Sequence, residues 1–456
     1  MNETCDPTGD FTDASQPPAG RPWWGTDPRA SLARPERTAD MRSPSQHKVR
    51  SSIRKRLSAV TAACALLGTA GLFSGSAASA AAGPPHQNGT GLRAALRHDL
   101  SQYLTARRKA EHISAVSLRV TFRGNKPGIN LAAGTTRYRG GLPISSSALW
   151  QIGSNTKAFT SVILLQLEAE GKLSINDPLG KWLPQYPAWR DVTIKQLLNM
   201  TSRIPNYTDQ PAFQAALAAK LRTHFTAAQL VSYVTGLPLG PKGWHYSNTN
   251  YILAQMIIQR VTHDSYAHQL TKRIINPLRL HSLCYAPYTC PASDASRMPA
   301  GYFFTAGGPP SLLGKPMPPL ALTWAQGAGA IVSSLTDMTT WDRALYQGQE
   351  LPSRQQQQIE SLVSQTTGKP IHRTTRADPL GFGLGLGQLT SRPVGTVWYY
   401  EGETLGNRVL HFYFPRSGTI IALALNSAVA PADDAIGALA ISVYQTLQKA
   451  GAVHPG

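Results

Sequence analysis

The feature that most constrains this chain is that its strand-like patterns stand at its two ends. Val116, Leu118, Val120 and Phe122 alternate with Ser117, Arg119, Thr121 and Arg123, the signature of a strand with one face in a core and the other toward water. Gly124 to Gly128 then turns the chain into a second strand near 129–138. Far downstream, residues 396–400, 408–414 and 419–425 are rich in Val, Tyr, Phe, Leu and Ile, and Pro415 to Gly418 makes a hairpin of the last two. Neither group has enough strands to be stable alone. One antiparallel sheet assembled from both termini satisfies both groups. Leu92, Leu96, Leu100 and Leu104 at one end, and Ile436, Leu439, Val443 and Leu447 at the other, recur at helical spacing and supply a cover.

Between the ends, the pattern is helical and loop-rich. A strong helix is expected over 155–170, carrying Phe159, Val162, Ile163 and Leu167 and stopped at Gly171. Shorter ones are expected at 193–200, 212–222, 227–235, 248–262 and 336–346. The fold class is therefore α+β: a sheet lobe from 90–145 and 390–450, flanked by helices, beside a mostly helical lobe over 146–389.

The first eighty residues read differently from the rest of the 456. Residues 1–40 are polar and lack apolar periodicity, as in a disordered segment or an upstream stretch that is not translated. From Met41, the basic residues Lys48, Arg50, Arg54, Lys55 and Arg56 precede an uncharged run from Leu57 to Phe73, and Ala78-Ser79-Ala80 follows. Residues 41–80 thus read as a signal peptide cleaved after Ala80, with an uncleaved anchor as the alternative. The expected location is secreted or in the cell envelope, with membrane contact only during export. Cleavage would leave two cysteines, Cys284 and Cys290, six apart in a Pro-containing loop, which in an oxidising compartment suggests one local disulfide. Residues 81–456 keep 34 basic and 18 acidic residues, net +16. These charges are scattered and form no stripe of the kind that tracks a nucleic acid, so no nucleic-acid partner is expected.

Ser154-Asn155-Thr156-Lys157 at the start of the central helix is the first chemical signal. A spacing of three puts Ser154 and Lys157 on one face. A lysine in a partly dry site loses basicity and can then activate a hydroxyl. The pattern alone is weak, since it recurs at Ser45–Lys48 and Ser52–Lys55 and since a serine at a helix start can simply be an N-cap. Tyr246-Ser247-Asn248 strengthens it, because a phenol can relay a proton and an Asn amide can orient a substrate amide. No metal or organic cofactor is implied.

With these motifs in order, the chain resembles the serine β-lactamase and penicillin-binding-protein superfamily, in the branch of class C β-lactamases, D-alanyl-D-alanine carboxypeptidases and related esterases. The similarity runs over most of 90–450, through Trp150 to Thr160, Gly171 to Pro178, Leu197 to Ser202 with Ile204 to Tyr207, Tyr246 to Tyr251, Gly327 to Ser334 and Gly381 to Gly385. It implies that Ser154 is the acylated nucleophile, that Lys157 and Tyr246 share acid/base work, and that Asn248 contacts substrate. The family's third element, Lys or His, then a Thr/Ser-like residue, then Gly, is replaced here by Tyr400-Glu401-Gly402, followed by Glu403. Tyr400 and Gly402 then belong to the substrate strand, and the backbone N–H groups of Ser154 and Glu403 would form an oxyanion hole. Glu401 and Glu403 would bring negative charge to this strand, to be offset by Arg203 (where the family usually has Gly) or by Arg408. The resemblance implies a small peptide, amide or ester substrate. The first reading is a secreted D-alanyl-D-alanine carboxypeptidase-like serine hydrolase acting on peptidoglycan stem peptides, and the alternatives are a carboxylesterase, a β-lactamase, or a catalytically weak wall- or peptide-binding relative.

Overall fold

The computed structural model describes residues 89–453 apart from 125, 306 and 307. The expected extension over 1–40 and the signal peptide over 41–80 lie outside the described residues.

The two ends do meet in one sheet. The strand Ala115–Thr121 pairs antiparallel with Thr419–Leu425, with Val116 opposite Leu425 and Val120 opposite Ile421. The ten strands run in the order Gly140–Pro143, Ile129–Arg137, Ala115–Thr121, Thr419–Leu425, Arg408–Phe414, Gly395–Glu403, Gly387–Ser391, Leu380–Phe382, Leu362–Ser364 and Pro370–Ile371. The last four lie partly or wholly within the stretch expected to be helical, so the sheet reaches back to residue 362 and the boundary at 389/390 is corrected. These strands are two to five residues long, too short to show a period of two in sequence.

Both faces of the sheet are covered. On the outer face, Leu118, Val120, Leu410, Phe412, Leu423 and Leu425 form one core with Leu96, Leu100, Leu439 and Val443 of the terminal helices Gly89–Glu111 and Ile436–Lys449. On the inner face, Val409, Tyr413, Ile420, Ala422 and Ala424 join a larger core with Trp341 and Leu345 of the helix Leu335–Tyr346 and with the helical lobe. Each fully buried leucine in either layer contributes about 1.5–3 kcal/mol, so the terminal helices are integral to the sheet.

The helical expectations correspond to Thr156–Ala169, Ile194–Leu198, Pro211–Ala219, Ala227–Ser232, Thr249–Thr262 and Leu335–Tyr346. The strand Leu149–Gln151, paired with Ile331–Ser334, delivers the chain to the central helix. A single 3-10 turn, Gly153–Asn155, links the two.

Candidate active site

Ser154 lies in that 3-10 turn, one turn before Lys157, and its hydroxyl makes no N-terminal cap on the helix. Its Oγ instead lies 2.6 Å from the Tyr246 hydroxyl and 3.0 Å from Lys157 Nζ. The reading of Ser154 as a plain helix cap is thereby set aside. Lys157 is fully buried, and its Nζ also donates to Asn248 Oδ1 and to the Ala328 carbonyl, both at 2.8 Å. Burial holds the Lys157 ammonium well below the usual lysine range. A neutral amine has two hydrogens, which these two carbonyl oxygens accept, and its lone pair is then left facing Ser154 Oγ. The arrangement can draw the proton from the serine hydroxyl.

Asn248 is placed by its own neighbours. Its backbone N–H donates to Asn206 Oδ1 at 2.9 Å and its Nδ2 to Thr208 Oγ1 at 3.3 Å. Both atoms of its amide thus have protein partners, and its observed contact at the site is with Lys157. The carbonyl of Ala328 and the amides of Asn206 and Asn155 were not singled out by sequence, although residues 155, 206 and 328 all fall inside the family-like motifs.

The strand Gly395–Glu403 closes the other side. A Cβ at Gly402 would lie 2.0 Å from the Ile152 carbonyl oxygen and 2.8 Å from Ser154 N, so only glycine lets the strand approach the turn Gly153–Asn155 this closely. Reciprocally, Gly153 has φ +53°, and a Cβ there would sit 2.7 Å from Glu403 N. The backbone nitrogens of Ser154 and Glu403 are therefore neighbours across this contact, as the expected oxyanion hole requires.

Alternation along the strand decides where its side chains go. Tyr400 belongs to the inner core and packs edge-on against Phe382, whose ring meets Trp244. Its hydroxyl is buried beside Tyr246, and burial, then Tyr246, hold its phenol well above the usual range. Tyr246, Tyr400, Trp244 and Phe382 line a small apolar recess beside Ser154.

Glu401 and Glu403 lie on the opposite face, and the expectation that they charge the substrate strand is corrected. They sit with Arg408, Asp434 and Glu111, where the first helix ends and just before the last begins. Arg408, 0% exposed, donates to Glu111 Oε2 at 2.7 Å and to the Ser427 carbonyl at 2.9 Å, and pairs with Asp434. Burial, then Asp434, push the Glu401 carboxyl well above its usual range against the pull of Arg408. Glu403 is pushed up to about 8 by burial and by Asp434. Arg408 is thus a buried ion-pair centre rather than a substrate cation. Arg203 has a left-handed backbone, φ +68°, which explains the glycine usual there in the family it resembles. Its Nε donates to the Gly240 carbonyl at 2.6 Å.

This fold and this serine–lysine–tyrosine set define a serine hydrolase of the β-lactamase and penicillin-binding-protein type. A family model described as Beta-lactamase matches residues 100–445, and the chain belongs to that family. Among curated proteins it is 26% identical over 235 residues to penicillin-binding protein 4* of Bacillus subtilis, covering 50% of this chain and 52% of the relative. It is 31% identical over 176 residues to protein flp of Staphylococcus aureus, covering 37% and 34% respectively. The chain spans between a third and about half the length of these relatives. Among solved structures, the D-stereospecific amidohydrolase from Streptomyces sp. shares 28% identity with a TM-score of 0.59, covering 74% of this chain and 94% of that one. The D-amino acid amidase from Ochrobactrum anthropi SV3, at 22% identity and TM-score 0.66 over 79% and 99%, shares the fold.

Proposed function

We propose that this protein hydrolyses amides of D-amino acids through an acyl-enzyme on Ser154. The observation that carries the reading is the buried Lys157 Nζ at 3.0 Å and the Tyr246 hydroxyl at 2.6 Å from one serine oxygen. Lys157 accepts the Ser154 proton as Oγ attacks the carbonyl carbon. The resulting oxyanion faces the N–H groups of Ser154 and Glu403. Tyr246 passes a proton to the departing nitrogen, and water then cleaves the acyl-enzyme with the proton flow reversed.

Preference for an amide over a free carboxylate rests on the strand. Tyr400 puts a neutral phenol where the family carries Lys or His, Arg408 belongs to the opposite face, and Arg203 is held by Gly240. The similarity to a D-stereospecific amidohydrolase over nearly that protein's whole length supports the same choice. The likeness to penicillin-binding protein 4* supports a second reading, a D-alanyl-D-alanine carboxypeptidase-like activity on peptidoglycan stem peptides. The export-like segment 41–80 and the pairing of Cys284 with Cys290 support action outside the cytoplasm.

The test is kcat/KM for D-alanine and D-phenylalanine amides, their L enantiomers, a D-Ala-D-Ala peptide, nitrocefin and p-nitrophenyl acetate, each against Ser154→Ala. The expected order puts a D-amide first and nitrocefin last. A D-Ala-D-Ala peptide turned over faster than either D-amide would replace the first reading by the second.

A further inference from the structure

Behind the nucleophile, on the side away from the cleft, lies a buried polar chain that the reaction outlined above does not use. Asn155 follows Ser154 directly. Its Nδ2 donates to the Ile152 carbonyl at 2.8 Å and to the Val409 carbonyl at 2.9 Å. With both amide hydrogens so directed, Asn155 Oδ1 is an acceptor, and it lies 3.0 Å from His411 Nδ1. His411 must therefore carry its proton on Nδ1, which leaves Nε2 to accept from the Tyr346 hydroxyl at 2.7 Å. All three side chains are buried or nearly so, and Asp342, fully buried, approaches His411 Nδ1 at 3.7 Å. Burial lowers His411 to about 3 and raises Asp342 well above its ordinary value, so burial acts on both groups against a charged pair that would compete for the Nδ1 hydrogen.

The chain joins three elements that must agree for catalysis. Tyr346 ends the helix Leu335–Tyr346 and stacks on Tyr413 with ring centres 4.8 Å apart. His411 lies on Arg408–Phe414 directly opposite Tyr400 of the substrate strand. Asn155 ends the nucleophile turn. Val409, whose carbonyl Asn155 holds, is the register partner of Gly402.

We propose that His411 and Asn155 are positioning residues, a neutral clamp that fixes the nucleophile turn against the central sheet and so sets the distance between the two oxyanion donors, Ser154 N–H and Glu403 N–H. The amide of Asn155 holds the turn at Ile152 and the sheet at Val409 at once, and the Nδ1 hydrogen of His411 holds that amide in the one orientation that does both. Tyr346 in turn fixes the histidine tautomer. The inference rests on the acyl-enzyme reading of Ser154 and concerns how its geometry is maintained.

Two isosteric replacements separate this role from packing. In His411→Asn the side-chain amide nitrogen takes the place of Nδ1 and can still donate to Asn155. In His411→Gln it takes the place of Nε2, toward Tyr346, and Asn155 Oδ1 loses its donor. Each variant is compared with wild type by kcat and KM on the best substrate, by the rate of fluorophosphonate acylation per titratable site, and by Tm. His411→Asn is expected to retain kcat within about threefold, and His411→Gln to lose it by about tenfold or more with KM little changed, because a displaced oxyanion donor weakens the transition state more than the ground state. Acylation should slow in parallel. His411→Gln matching His411→Asn, or losing Tm while keeping wild-type turnover per titrated site, would overturn the clamp. A wild type that fluorophosphonate does not label at Ser154 would instead overturn the functional reading beneath it.

Discussion

The two faces of the strand Gly395–Glu403 differ sharply in what they hold. Facing Ser154 are Tyr400 and Gly402, a buried phenol and a bare backbone, next to the aromatic rings of Trp244 and Phe382. Facing away are Glu401 and Glu403, gathered with Glu111 and Asp434 around Arg408. The side toward Ser154 offers close backbone approach and neutral hydrogen bonding, whereas the far side holds charge in a medium where charge is tolerable only when paired. The lesson is that charge near a catalytic strand in sequence is not charge near the substrate, because a period of two sends successive residues to opposite faces.

The comparison breaks most visibly on the substrate side. Gly402→Ala would drive a methyl group to within 2.0 Å of the Ile152 carbonyl, so the strand must retreat from the nucleophile turn. Turnover should fall by about 100-fold or more, the order expected for one misplaced oxyanion donor, while circular dichroism and the outer core stay native. On the far side the expected effect lies in stability. Arg408→Met strands the buried carboxylates of Glu111 and Asp434 and should cost about 3–5 kcal/mol of unfolding free energy, read from denaturant titration, with kcat per folded molecule retained. A large loss of kcat per folded molecule in Arg408→Met would show that the two faces are not separable.

The smallest effect concerns pH. Glu403 has a folded value of about 8 against an ordinary 4.5, so between those values the folded state binds more protons than the unfolded chain. This group's contribution is present at low pH and is lost as pH rises from about 4.5 toward 8. Glu403→Gln should therefore flatten the fall in Tm over that window relative to wild type, and a slope unchanged by the substitution would place this carboxyl in water instead.

Much of this was legible in the sequence. Alternation from Val116 to Phe122 and the apolar runs 408–414 and 419–425 marked the central strands, because those strands are long enough to show their period. Ser154, Lys157 and Tyr246 were legible because their chemistry needs fixed residue types in a fixed order. The strands between Leu362 and Phe382 were hidden by their shortness. His411 was hidden inside the run Val409–Phe414, where a single imidazole among aliphatic and aromatic residues leaves no periodic trace. The orientation of Glu401 and Glu403 follows from Gly402, but only once it is known that Gly402 faces Ile152 and Ser154.

The central claim is that one serine, activated by a buried lysine, becomes acylated. Intact-mass analysis after treatment with a fluorophosphonate, followed by peptide mapping, tests it most directly. The account predicts one adduct per wild-type molecule, located on Ser154, and none on a folded Ser154→Ala protein. An adduct that persists in Ser154→Ala, or one mapped to another residue, would contradict it.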